Sequence, residues 1–203
     1  MAVKIITISR QFGSGGRTLG KLLAKELGFD YYDREIIDRV AGETGFSKDY
    51  VAANSEYAPG NSIISYSFEA AGTPGIMNGM TTTDYIYSIQ RKKILEIANA
   101  GKPCIIVGRC ADYILKEFDG VLNVFIYADL DYRAKRVVAT YGESDTKPEK
   151  RIIDKDKKRA ANYKHFTDRE WGRPINYDIC LNSGYLGVEK CAQIIEDIVK
   201  SKV

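Results

Sequence analysis

The chain has 203 residues, of which 44% are hydrophobic and 28% charged, with a net charge of +3. That length and apolar share suit one α/β domain with a sizeable core and exclude a disordered or fibrous chain. So mild a charge argues against a surface built throughout for nucleic acid, and no apolar run is long enough to span a bilayer.

Met1-Ala2-Val3-Lys4 leads straight into the β-branched run Val3 to Ser9, which predicts a buried strand rather than a secretory signal, and a cytoplasmic location is expected. A glycine-rich loop follows at Gly13 to Gly16. Next comes a helix with Leu19, Leu22, Leu23 and Leu27 on one face and Gly28 as its stop. Phe29 to Tyr32 reads as a second strand ending at Asp33, and Arg34 to Thr44 as a helix with Ile36, Ile37 and Val40 inward. Phe46 to Thr83 is punctuated by Gly60, Gly72, Pro74, Gly75 and Gly79, and reads as short helices joined by loops. A helix is predicted over Asp84 to Ala100, a strand over Cys104 to Val107, a helix over Ala111 to Phe118 and a strand over Leu122 to Tyr127. Asp131 to Tyr141 is the next helix. The basic segment after it is largely helical, Asp178 to Leu181 is a fifth strand, and the apolar positions from Val188 to Val199 mark a final amphipathic helix.

Strands alternate with helices throughout, which predicts a parallel sheet covered on both faces, with ligands at the carboxyl ends of its strands. Arg10 to Thr18, Asp33, Arg109, Asp129 and Arg133 all fall at such ends. The charge is uneven. From Lys147 to Arg173 ten Lys and Arg face five Asp and Glu, an excess of +5 that leaves the rest of the chain near −2. A basic segment on a nearly neutral body predicts a polyanion handled locally. Cys104, Cys110, Cys180 and Cys191 form no CxxC pair and His165 is the single histidine, so no zinc site is expected and the thiols read as reduced.

Ser9-Arg10-Gln11-Phe12-Gly13-Ser14-Gly15-Gly16-Arg17-Thr18 joins a strand to a helix. Glycines let such a loop turn its N–H groups inward, and the helix start adds partial positive charge, so Gly13, Ser14, Gly15, Gly16, Arg17 and Thr18 are candidate phosphate ligands. The Thr18 hydroxyl is the candidate ligand for Mg²⁺. The match to G-x-x-x-x-G-K-[ST] lacks its Lys. Either Gly15 is the second glycine and Gly16 stands in the Lys place, or Gly16 is and Arg17 replaces Lys; Arg17 is the nearest cation in both registers.

ITISRQFGSGGRTLGKLLAKELG, FDYYDREII, CIIVGRCADYIL, VFIYADLDYRAKRV and REWGRPINYDICLNSGYLGVE occur in this order across nearly the whole chain. Together they resemble the cytidylate-kinase-like branch of the P-loop nucleoside monophosphate kinases. The resemblance implies a three-layer sandwich on a five-stranded parallel core, with a lid over residues 142–173 and an acceptor-side insert over 46–83 within a single domain of 1–203. It implies ATP with Mg²⁺ as donor and a pyrimidine monophosphate, CMP or dCMP, as acceptor. Asp33 and Arg39 match the family's acceptor-side Asp after strand two and the Arg following it that grips the acceptor phosphate, and Arg133 matches an Arg early in the helix after strand four. The family's Gly-Arg-Asp reads Gly108-Arg109-Cys110, keeping the Arg and replacing the Asp with a weak acceptor.

Phosphoryl transfer needs several cations more than a base. Arg151, Lys155 and Arg159, spaced by four on one helix face, are candidates from the basic segment, against the ordinary alternative of a solvated charged face. Trp171, beside Gly172 and Pro174, is expected to pack the lid's hinge. Tyr57, Tyr66 and Phe68 are local core or base-stacking aromatics. Three functions stay open: a cytidylate-type kinase, a kinase of another small metabolite, and a nucleotide-binding regulator without turnover.

Overall fold

The computed structural model describes residues 2–55 and 80–201. Five strands, β1 (Ile5–Arg10), β2 (Asp30–Tyr32), β3 (Cys104–Val107), β4 (Val121–Tyr127) and β5 (Ile179–Asn182), form one sheet in the order β2-β3-β1-β4-β5. Every pairing is parallel. The helices are α1 (Gly16–Leu27), α2 (Arg34–Thr44), α3 (Lys48–Ser55), α4 (Thr82–Asn99), α5 (Ala111–Ile114), α6 (Leu130–Tyr141), α7 (Pro148–Thr167), α8 (Ser183–Leu186) and α9 (Val188–Ser201), with a 3-10 turn at Pro174–Asn176.

Every residue of β1 and β3 is buried, as a strand covered on both faces requires. Alternate side chains leave the sheet in opposite directions. Ile6, Ile8, Ile105 and Val107 pack with Leu19 and Leu23 of α1 and Cys191 and Ile195 of α9. Ile5, Cys104 and Ile106 pack with Ile36 and Val40 of α2 and Ile86, Ile94 and Ile97 of α4. Each fully buried aliphatic here contributes roughly 1.5–3 kcal/mol.

The element order follows the sequence reading closely, and α2 and β3 coincide with it. The predicted helix over Ala111 to Phe118 stops as an α-helix at Ile114. Beyond it the chain tightens into turns, with Lys116 N–H donating to Tyr113 and Phe118 N–H to Leu115. Of the segment Phe46 to Thr83, α3 and the start of α4 are seen; Tyr57, Tyr66, Phe68 and the glycines from Gly60 to Gly79 lie outside the described residues. Among the described residues no helix is long and apolar enough to cross a membrane.

The register brings chemistry to one edge. Ile8 pairs with Val107 and Tyr32 with Ile106, so the segments after β1, β2 and β3 start side by side. The chain passes from β1 outward to β2, returns to β3, then crosses β1 to β4. This switch point opens the crevice at the carboxyl edge.

Candidate active site

The loop after β1 is shaped by residues with little or no side chain. Gly13 and Gly15 have φ of 82° and 87°, in the left-handed region. Gly15 caps α1, whose first residue is Gly16. A Cβ at Gly13 would lie 2.9 Å from the Arg133 carbonyl oxygen, and one at Gly15 2.7 Å from Val188 Cγ2. Gly15→Ala is therefore expected to destabilise by ~2 kcal/mol, the left-handed cost plus the shift of α9, lowering Tm by about 4–8 °C. A melting curve indistinguishable from the parent's would show that Val188 yields freely.

Ser14 is fully buried. Its hydroxyl donates to the carbonyls of Gln11 (2.9 Å) and Ile126 (3.1 Å), and its own carbonyl accepts from Ser183 Oγ (2.6 Å). Its side chain thus braces the loop from beneath. The loop is also gripped from α6 and α7: Asp156 Oδ1 accepts the Phe12 N–H at 2.7 Å. Arg133 Nη1 donates to the Phe12 carbonyl at 3.2 Å and to Asp156 Oδ2 at 2.5 Å. Lys155 and Arg159 sit 4.8 and 5.7 Å from the Phe12 ring centroid, and Arg159 Nη1 donates to the Arg10 carbonyl at 3.2 Å. An open cleft of about 430 Å³ lies over this loop, bordered by Arg10, Gly16, Arg17, Thr18, Arg136 and Arg159.

Arg17 turns toward β2, with Nε 2.8 Å from Asp33 Oδ2 and Nη2 3.3 Å from Oδ1. Asp33 makes no side-chain cap to α2, since its carboxylate is committed to Arg17. Thr18 is exposed on the first turn of α1, and its Oγ1 accepts from Arg136 Nη2 at 2.7 Å. A hard divalent cation held mainly by phosphate oxygens needs one or two oxygen donors from the protein, and the Thr18 hydroxyl, which borders this cleft, is a donor of that kind.

A second cleft of about 310 Å³ opens after β3, bordered by Arg10, Ser55, Arg109, Cys110, Asn162 and Trp171. Three consecutive residues, Gly108, Arg109 and Cys110, have φ of 75°, 64° and 53°. A left-handed run through two non-glycine residues is strained backbone of the kind that marks working sites. Buried Arg109 donates through Nη1 to Ser55 Oγ at the end of α3, and its carbonyl accepts from Gln90 of α4 at 3.4 Å. Asn162 of α7 lies 3.9 Å from Cys110 Sγ. Tyr163 donates to Asp112 Oδ2 at 2.6 Å, and burial pushes the Asp112 carboxyl up to about 6. Trp171 meets Phe125 edge-on at 5.4 Å, so it packs where β4 meets the segment after α7.

The structure thus brings together Gly13, Gly15, Gly16, Arg17, Thr18, Asp33, Arg109, Lys155 and Arg159. It sets three expected residues apart. Arg133 was expected against the acceptor. It lies behind the loop after β1 instead, because α6 follows β4, on the far side of β1 from β3. Arg39 is exposed, its guanidinium 5.2 Å from the Tyr32 ring centroid, and borders neither cleft. Arg151 donates to the Gly142 carbonyl at 3.1 Å, at the turn before α7. Sequence reasoning placed Arg10 among the strand-end candidates without giving it a role, and it missed Asp156 and Asn162. For Arg10 a signal existed: a cation ending an otherwise β-branched strand at the very edge where ligands bind.

The sequence profile of the cytidylate kinase-like family matches residues 5–185. A cytidylate kinase of Archaeoglobus fulgidus is 27% identical over 200 residues, covering 97% of this chain and 95% of the relative. One of Thermococcus kodakarensis is 25% identical over 195 residues, covering 95% and 86%. Among solved structures, an uncharacterized protein from Eubacterium ventriosum matches with a TM-score of 0.72 at 26% identity, covering 97% of this chain and 98% of that one. A shikimate kinase from Acinetobacter baumannii, with a TM-score of 0.52 at 15% identity over 98% and 94% of the two chains, shares the P-loop kinase fold alone. The profile match takes in the glycine-rich loop after β1, the left-handed turn after β3 and the whole of α7, and the chain belongs to the cytidylate kinase-like family.

Proposed function

We propose that this protein transfers the γ-phosphoryl group of ATP to a nucleoside monophosphate, with CMP or dCMP as the acceptor. The observation that carries this is the pair of clefts at one sheet edge, which share Arg10 and Arg159 as a common wall. Two phosphorylated ligands would therefore meet across cations, which is the arrangement in-line transfer requires.

On this reading the inward N–H groups of the loop and the start of α1 cradle the donor phosphates. Arg109 grips the acceptor phosphate as a planar fork. Helix α7 acts as the lid, with Lys155 and Arg159 over the phosphoryl group in transit. Arg17 orients Asp33 at the mouth. Mg²⁺, held by the phosphates together with Thr18, would neutralise charge on the donor. An oxygen of the acceptor phosphate attacks the γ-phosphorus as ADP leaves, and no protein nucleophile takes part. Reduced cysteines and a nucleoside triphosphate donor go with a cytoplasmic location.

Cys110 beside Asn162 motivates a second reading, a kinase of another small phosphorylated or hydroxylated metabolite. ATP consumption coupled to ADP detection, against CMP, dCMP, UMP, AMP, GMP and no acceptor, separates the two. The cytidylate reading expects CMP or dCMP to exceed the other acceptors at least tenfold. Binding of ATP with no turnover of any nucleotide would reject it in favour of a different acceptor or a nucleotide-binding regulator.

A further inference from the structure

We propose that Arg10 supplies the phosphate-loop cation, having exchanged places with Gly16. This rests on ATP being the donor, as proposed above. In G-x-x-x-x-G-K the first glycine and the Lys stand six residues apart. Arg10 and Gly16 are also six apart, and in the register where Gly15 is the second glycine they occupy those two positions in reverse. The structure supplies the reason. A Cβ added at Gly16 would fall 2.7 Å from Arg10 Cβ and 2.9 Å from Arg10 Cγ, so positions 10 and 16 compete for one space. The motif gives that space to a Lys from the helix; this chain gives it to an Arg from the strand.

The rest of the Arg10 side chain runs toward the turn after β3. There Gly108, at φ +75°, leaves room for it: a Cβ at Gly108 would come within 3.0 Å of Arg10 Cζ. Glycines at both ends of its course keep the guanidinium on the wall common to the donor and acceptor clefts. Arg10 is only 5% exposed and rises from the central strand, paired to Ile126, so its base is rigid. Arg159 of α7 borders the same two clefts and donates to the Arg10 carbonyl, so it steadies the strand end from which the Arg10 side chain leaves. An Arg fork keeps its charge when buried and binds two phosphate oxygens at once. Here it would bridge donor and acceptor as negative charge spreads between them.

The test uses the full chain and four variants: Arg10→Met, Arg10→Gly, Gly16→Lys, and the double variant Arg10→Gly/Gly16→Lys. Turnover is measured with the best acceptor, affinity for a non-hydrolysable ATP analogue by calorimetry, and folding by thermal melts. Arg10→Met, which keeps the packing, is expected to melt like the parent yet lose on the order of 10²–10³-fold in kcat and to bind the analogue more weakly. Gly16→Lys alone is expected to be impaired through its collision with Arg10. The double variant, which restores the ordinary motif, should recover most of the turnover that Arg10→Gly loses. Arg10→Met within threefold of the parent in both kcat and analogue affinity overturns the role of Arg10 while leaving the kinase reading intact. A folded double variant no better than Arg10→Gly overturns the exchange. Where the parent turns over no nucleoside monophosphate, tenfold weaker analogue binding by Arg10→Met still supports Arg10 as the loop cation, and the acceptor reading falls instead. A parent that binds no ATP analogue overturns both.

Discussion

Arg109→Ala is expected to lower kcat/KM for the acceptor by on the order of 10³-fold, chiefly through KM, while leaving the KM for ATP within about threefold. Removing one partner of a buried, hydrogen-bonded charge costs ~2–5 kcal/mol, and each 1.4 kcal/mol is about tenfold. Arg109 is 4% exposed and is held by Ser55 and Gln90, so neither water nor a neighbouring side chain can replace its fork. Arg109→Lys keeps the charge without the fork and should fall between the two. The left-handed backbone at this position, φ 64°, allows a control that separates function from stability. A left-handed non-glycine residue costs about 1–2 kcal/mol, so Arg109→Gly should melt above Arg109→Ala while being equally inactive. Steady-state kinetics and thermal melts on the three variants decide it. An unchanged acceptor KM in Arg109→Ala would remove Arg109 from the acceptor site. Arg109→Gly melting below Arg109→Ala would show that the turn is not strained.

How far the site could be read from the sequence depended on whether local spacing or sheet order placed each residue. The strands announce themselves by β-branched runs, and the loop by glycines between a strand and a helix, so Gly13 to Thr18, Asp33 and Arg109 can be located by position along the chain. What no local pattern carries is which side of the sheet a later helix lands on. Arg133 begins a helix after a strand just as an acceptor ligand would, yet the crossing from β3 over β1 to β4 puts it behind the glycine-rich loop. Asp156 reads as one of the acidic residues that keep a basic helix soluble. Only its hydrogen bond to the Phe12 N–H, across 144 residues of sequence, distinguishes it from Asp154. Within the Arg151, Lys155 and Arg159 face, tertiary reach decides: the latter two arrive over Phe12, while Arg151 is a turn too early and meets Gly142. Ser14 reads as part of the loop that offers its N–H groups, and no local pattern shows that its hydroxyl is turned to the Gln11 and Ile126 carbonyls.

Asp112→Asn is expected to stabilise the protein at neutral pH and to flatten part of its pH dependence. Asp112 is almost fully buried on α5, facing Tyr163 of α7, with Arg169 compensating part of its charge. Burial outweighs the Tyr163 and backbone hydrogen bonds that favour the anion, and the carboxyl rises from 3.8 to about 6. A folded-state pKa above the unfolded one means that the folded protein holds the extra proton. The protonated group's contribution is fully present below about pH 4 and is lost as pH climbs through 6, by on the order of 3 kcal/mol at 1.36 kcal/mol per pH unit. Asparagine carries no charge to bury, and its Oδ1 can still accept from the Tyr163 hydroxyl. The Tm difference between Asp112→Asn and the parent should therefore widen by about 6–12 °C from pH 4 to pH 7.5. Taking the difference cancels the exposed carboxylates, such as Asp168, whose ion pair with Lys164 pulls stability the opposite way in acid. A difference that stays constant over that range would mean that Tyr163 and the start of α5 offset the burial, and that this carboxylate anchors α7 at no cost to the fold.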